Sequence, residues 1–106
     1  VIYFNQGENT KAIEYHLQSL KIAEKVGDSS RIANCLNNIG SVYSVNPETH
    51  DKALEYYSKS LKIGESYNDL NAIGNTLYNL GNIFFEKEEA ELFLGHSIYF
   101  DLSPFS

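Results

Sequence analysis

The sequence predicts an all-α fold built from repeated antiparallel helix pairs, and two observations carry this prediction. The 106-residue chain matches itself at an offset of 41 residues, so that residues 11–15 align with 52–56 and residues 19–22 with 60–63. Within each period, apolar residues recur at spacings of three to five, which is the spacing of one helix face. A fixed period of about 20 to 50 residues is typical of repeat proteins, whose units pack on their neighbours.

The first complete helix is predicted from Ala12, Tyr15, Leu20 and Ala23 and ends near residue 27. Glycine at that position favours the left-handed conformation that closes many helices. The carboxylate of the next residue, Asp28, can accept hydrogen bonds from the free backbone amides at the start of the next helix. Residues 68–69, Asn-Asp, repeat this pair of a helix-ending residue and a capping carboxylate one period later.

The next helix carries apolar or small residues at spacings of three and four: Ile32, Leu36, Ile39, Gly40 and Tyr43. Glycine inside a helix costs about 1 kcal/mol relative to alanine. Its recurrence as Gly81 therefore predicts that another helix approaches closely at both positions. Pro47 lies in the segment that follows and suits a loop or the first turn of a helix.

A longer motif joins these helices, namely Leu36-x-x-Ile39-Gly40-x-x-Tyr43, then Ala53-x-x-Tyr56 and Ser60-Leu61. It resembles the tetratricopeptide repeat, and the period of about 40 residues is similar to the long-period variety of that family. The resemblance implies a right-handed α-solenoid in which the first helix of each pair lines a concave groove. It also implies a protein-protein interaction module that binds a partner peptide or helix in that groove.

We expect one domain over residues 1–106, divided into a partial first repeat (1–27), a second repeat (28–67), a third repeat (69–102) and a tail (103–106). Two and a half periods indicate a piece of a longer array. Gly40 precedes Ala53 by 13 residues, whereas Gly81 precedes Ala90 by only nine, so the third repeat has a shortened inter-helix turn. The segment 85–90 contains no Gly, Pro, Asn or Asp. The alternative is therefore one fused helix from about residue 70 to about residue 99, with its apolar face packed on another copy.

The residues implied to line the groove are rich in amides: Asn34, Asn37, Asn38, Ser41, Asn75, Tyr78, Asn79, Asn82 and Phe85. An asparagine offers a donor and an acceptor, so it can pair with the backbone of an extended peptide. The two aromatic rings would add apolar contact. The alternative is that these amides are solvated positions on exposed helix faces.

Charge and composition argue against several other functions. The net charge of −6 has the wrong sign for binding nucleic acid or an anionic membrane surface. Most lysines fall on the second helix of each pair, which disfavours the carboxylate clamp of chaperone-binding family members. No phosphate loop or nucleophile in a suggestive setting occurs, and we expect no enzyme, no cofactor and no metal. His16, His50 and His96 are ordinary histidines on this view, and Cys35 is a packing residue.

The C-terminal segment is apolar where a repeat array needs a polar cap. Its candidate self-association residues are Leu94, Ile98, Tyr99, Phe100 and Phe105. They either fold back over the third helix pair or contact a second molecule, which would make a homodimer. Two alternative functions stay open: a sensory or regulatory segment of a larger signalling protein, and a self-associating, domain-swapped structural fragment. We expect a cytoplasmic location.

Overall fold

The computed structural model describes residues 6–94, with side chains described for residues 7–88. This part of the chain forms four helices and no strand: α1 Gln6–Val26, α2 Ser29–Ser44, α3 His50–Tyr67 and α4 Leu70–Leu94. Each helix packs on the next along the chain, and α2 also contacts α4. The all-α fold of packed helical repeats is therefore confirmed, whereas right-handed stacking into a solenoid stays a prediction. The first five residues of the partial first repeat, and the tail, lie outside the described residues.

The two helix ends predicted from sequence have the expected geometry. Gly27 has a φ of 73° and Asn68 a φ of 56°, both in the left-handed region that closes a helix. Asp28 then accepts a hydrogen bond from the backbone amide of Arg31 at 3.1 Å. Asp69 caps α4 in the same way. Local sequence thus determines where α1 and α3 end and where α2 and α4 begin.

The turn between α2 and α3 is also built from local side chains. Asn46 accepts a hydrogen bond from the amide of Glu48 at 3.0 Å, and Pro47 begins the short 3-10 turn Pro47–Thr49. The Thr49 hydroxyl donates to the carbonyl oxygen of Tyr43 at 2.6 Å. These bonds turn the chain back so that α3 lies against α2.

The α2–α3 contact is the tightest in the core. A Cβ placed on Gly40 would lie 2.7 Å from two carbons of the Tyr57 ring, so the close approach predicted at this glycine is confirmed. Tyr57 is 2% exposed and packs with Ala53 and Ile83. The same prediction for Gly81 is wrong, because a Cβ there would meet nothing within 4 Å. Between residues 6 and 94, no second helix folds back onto Gly81.

The reason lies in α4, which runs without a break from Leu70 to Leu94. The shortened turn expected between the two helices of the third repeat is therefore wrong. Residues 85–90 are good helix formers with no capping residue among them, so nothing in the segment stops the helix. The alternative of a fused helix agrees with the structure as far as residue 94.

Candidate functional site

Hydrogen bonds between buried or half-buried polar side chains hold α2 and α4 side by side. Asn79 on α4 donates from Nδ2 to Oδ1 of Asn37 on α2, at 3.1 Å. Ser60 on α3 donates to the carbonyl oxygen of Ala33 at 2.9 Å and lies 3.1 Å from the Thr76 hydroxyl. Ser60 and Thr76 are both fully buried. The polar contacts therefore fix three helices relative to one another.

This arrangement divides the predicted groove residues into two groups. Asn37 and Asn79 are half-buried and bonded to each other, so their amides already have partners. The Ser41 hydroxyl lies 3.1 Å from the Tyr57 hydroxyl, and Ser44 donates to the Ser41 carbonyl at 2.7 Å. Asn37, Asn79 and Ser41 therefore contribute to packing between helices, whereas the Ser44 hydrogen bond lies within α2.

Three of the four exposed amides of the predicted groove line two clefts. Asn34 and Asn38 line a cleft of about 680 Å³ between α1 and α2, together with the apolar side chains of Ile22 and Val26. Asn82 lines a smaller cleft of about 330 Å³ between α2 and α4, whose lining includes Ser41, Asn79, Tyr57 and Ile83. Asn75 is exposed on α4. The structure therefore places Asn34 and Asn38 in one cleft and Asn82 in the other, whereas Asn75 lines neither of them.

The two predicted aromatic contacts lie on the same face of α4 as Asn75 and Asn82, at spacings of three and four residues. Tyr78 and Phe85 are 71% and 61% exposed. At the offset of 41 residues, Tyr78 corresponds to Asn37. The side chain of Asn37 contacts α4, which is the equivalent helix of the next repeat. The same helical phase directs Tyr78 away from α2. The aromatic pair is thus separated from the amides of the larger cleft.

The two oppositely charged side chains that line the larger cleft pair with each other. Arg31 lies 3.2 Å from the Asp28 carboxylate. The larger cleft is therefore suited to a ligand recognised by hydrogen bonds and apolar contact.

The remaining reactive side chains serve the fold. His50 is buried, and its Nε2 lies 3.1 Å from the Ser44 carbonyl oxygen, whereas His16 lines the larger cleft. No group of three metal-binding side chains occurs in the described part of the chain. Cys35 is 8% exposed, and burial raises the pKa of its thiol, a shift that the nearby charge of Arg31 partly opposes. His96 lies outside the described residues.

One exposed apolar surface lies on α4, as the alternative of a fused helix implied. Leu77 and Phe84 are 52% and 57% exposed, although the residues that precede them by 41 positions, Leu36 and Tyr43, are buried and half-buried. That alternative rested on the absence of a helix breaker in residues 85–90. The candidate self-association residues Ile98, Tyr99, Phe100 and Phe105, and the side chain of Leu94, lie outside what the structure describes.

Comparison with known proteins supports the assignment of the fold. Residues 1–44, which include α1 and α2, match the family model of the tetratricopeptide repeat. This part of the chain is therefore similar to a tetratricopeptide repeat. Such repeats are generally protein-protein interaction modules, and the family is typically non-enzymatic. No curated protein and no solved structure matches the chain. Among the helices of residues 6–94, none is both long and apolar enough to cross a membrane.

Proposed function

We propose that this tetratricopeptide repeat protein binds a peptide or helix of a partner protein, without catalysis, in the cleft between α1 and α2. The observation that carries the proposal is the combination of Asn34 and Asn38, both exposed, with the apolar Ile22 and Val26 in one open cleft. The amides would pair with backbone groups of the partner, while the apolar side chains would contact its side chains. The single buried cysteine fits a reducing compartment such as the cytoplasm.

The chemistry of the cleft favours a segment of low charge. The cation that lines it, Arg31, is held by Asp28, and the chain carries a net charge of −6. A strongly acidic ligand would be repelled by the net charge, and no run of free cations lies in the cleft to offset that repulsion. We therefore expect partner segments that combine backbone hydrogen bonding with one or two apolar side chains.

The structure also decides which asparagines test this proposal. Replacing Asn79 would break its hydrogen bond to Asn37 and disturb the α2–α4 contact, so a loss of binding would be ambiguous. Asn34 and Asn38 are exposed and can be truncated with little effect on stability. The informative variant is therefore Asn34→Ala combined with Asn38→Ala.

The experiment selects binding peptides from a random display library and measures their affinity for purified protein by fluorescence anisotropy. We expect the double variant to weaken binding by at least about tenfold, since each lost hydrogen bond is worth about 1 kcal/mol. Gln18→Ala removes an exposed amide of α1 that does not line this cleft, and it should leave the affinity unchanged. Selected peptides that bind the double variant as tightly as the original protein would contradict the proposal.

A further inference from the structure

The larger cleft between α1 and α2 has a counterpart one period later in the same chain, and there α2 fills it. At the offset of 41 residues, α1 corresponds to α3 and α2 corresponds to α4. Four residues that line the larger cleft have counterparts that contact α2: His16, Ser19, Cys35 and Asn38. Those counterparts are, in the same order, Tyr57, Ser60, Thr76 and Asn79. The larger cleft therefore has the residue pattern of a place that holds a helix.

The contacts of α2 with α3 define what such a helix must offer. The Tyr57 ring leaves no room for a side chain at Gly40, because a Cβ there would lie 2.7 Å from two ring carbons. The Ser60 hydroxyl donates to the carbonyl oxygen of Ala33 at 2.9 Å, so the backbone of α2 must come close at that point too. A helix that fills such a place therefore needs small residues at both positions.

The exposed face of α4 meets this requirement. Gly74 and Gly81 stand at the positions of those two small residues, and a Cβ on either glycine would meet nothing within 4 Å. Between them lies Leu77, which is 52% exposed, whereas its counterpart Leu36 on α2 is 6% exposed. Thus α4 repeats the face by which α2 packs on α3, and nothing within residues 6–88 covers that face.

An aromatic pair extends the match. Tyr43 of α2 stacks on Tyr56 of α3 with ring centroids 5.8 Å apart. Their counterparts, Phe84 on α4 and Tyr15 on α1, are 57% and 68% exposed. Within one copy these two rings lie on helices that do not contact each other. They can stack only if α4 of one copy reaches α1 of another.

The charges of the two surfaces are also compatible. Residues 70–85 contain no charged side chain, and the opposite charges that line the cleft, Asp28 and Arg31, pair with each other. No unpaired charge of either group is therefore buried when α4 enters the cleft. Glu88 lies one turn after the exposed ring of α4, and Lys11 lies one turn before the exposed ring of α1. Antiparallel packing brings these opposite charges together.

We propose that the helix bound in the larger cleft is α4 of a second copy, so that copies of the chain join head to tail. This inference rests on the proposed function and deepens it by naming the partner helix. In each contact, α4 of one copy lies antiparallel to α1 of the next, with Gly81 opposite His16 and Phe84 opposite Tyr15. The two surfaces are different, so every pair keeps one free cleft and one free α4 face. The assembly therefore grows beyond a dimer.

The first test measures the mass of the purified chain by sedimentation equilibrium, with reductant and about 0.15 M salt to screen the net charge. We expect an average mass that rises with concentration and passes twice the chain mass of 12.0 kDa. Leu77→Gln combined with Phe84→Gln should raise the dissociation constant at least about tenfold, because both side chains lose their burial in the contact.

The matched control for this variant is Leu17→Gln combined with Tyr67→Gln. These side chains are 40% and 65% exposed, so the control removes a similar apolar surface. Leu17 does not line the larger cleft, and Tyr67 belongs to α3, which takes no part in the contact. The control should assemble as the original chain does.

The second test mixes two variants that are defective on opposite surfaces. Tyr15→Gln combined with Ser19→Arg obstructs the cleft side and leaves α4 intact, whereas the Leu77 and Phe84 variant keeps an intact cleft. Each variant alone should be monomeric at a concentration where the original chain assembles. Their equimolar mixture should form a heterodimer and stop at twice the chain mass, because only one cleft and one α4 face remain intact.

Four results would each overturn the inference: an original chain that is monomeric at all concentrations, one that stops at a dimer, a control variant that dissociates as readily as the Leu77 and Phe84 variant, or a mixture that stays monomeric. A monomeric chain that still binds selected peptides through Asn34 and Asn38 would leave the proposed function standing. Self-association through the cleft, with selected peptides indifferent to Asn34 and Asn38, would instead contradict the peptide-binding proposal.

Discussion

Replacing Gly40 by alanine adds one methyl group at the closest contact between α2 and α3. The added carbon would lie 2.7 Å from two atoms of the Tyr57 ring, well inside van der Waals contact. Tyr57 is buried and its hydroxyl lies 3.1 Å from that of Ser41, so the ring cannot move without disturbing other contacts. Overpacking of this kind costs about 1–3 kcal/mol. Alanine has a higher helix propensity than glycine, which stabilises the variant by about 1 kcal/mol. The net decrease in the free energy of unfolding is therefore about 0–2 kcal/mol.

A second glycine separates these two contributions. Gly74 lies inside α4, and a Cβ placed on it would meet nothing within 4 Å. Gly74→Ala should therefore gain about 1 kcal/mol from helix preference alone. The difference between the two variants isolates the overpacking, about 1–3 kcal/mol, and corresponds to roughly 1 M in the urea midpoint. Urea unfolding followed by circular dichroism at one protein concentration measures it. Equal midpoints for the two variants would refute the argument that Tyr57 excludes a side chain at Gly40.

Two further predictions concern buried polar groups. Ser60→Ala should lower the free energy of unfolding by about 1 kcal/mol, because its hydroxyl bonds the Ala33 carbonyl and contacts Thr76 in the core. Ser19→Ala, at the equivalent but exposed position of α1, should change it by less than about 0.5 kcal/mol in the same urea titration, and equal losses would contradict the assignment. Cys35 should react slowly with iodoacetamide in the folded chain and quickly in urea. Because burial raises the pKa of its thiol, half-maximal reactivity should occur at a higher pH in the folded state; identical pH profiles would show that the thiol is accessible.

The features that follow from neighbouring residues could be predicted from the sequence. The left-handed ends at Gly27 and Asn68 and the carboxylate caps after them depend on a few consecutive residues. The approach at Gly40 could also be predicted, because the turn that brings α3 against it is encoded nearby. The helical propensity of residues 85–90 indicated the continuous α4, although a turn was favoured.

The features that depend on a distant helix could not be predicted. Gly81 occupies the same place in the motif as Gly40, yet its surroundings differ because no second helix folds onto it in the described structure. The amides were placed on exposed helix positions, but sequence could not show that Asn37 and Asn79 bond to each other. Their partner choice depends on the packing of α2 against α4, which no local pattern encodes.

The unbroken α4 also constrains how the chain can vary in length. A helix advances about 100° per residue, so inserting or deleting one residue between 85 and 89 would rotate the second half of α4 by that angle relative to the first. The same insertion or deletion in the loop between α2 and α3 would change the loop without rotating either helix. The third repeat is four residues shorter than the second between the two halves of its motif, which is close to one full helical turn. A change of that size leaves the two halves of α4 within about 40° of their former phase. Tolerated length variants in this segment should therefore occur in steps of three, four or seven residues.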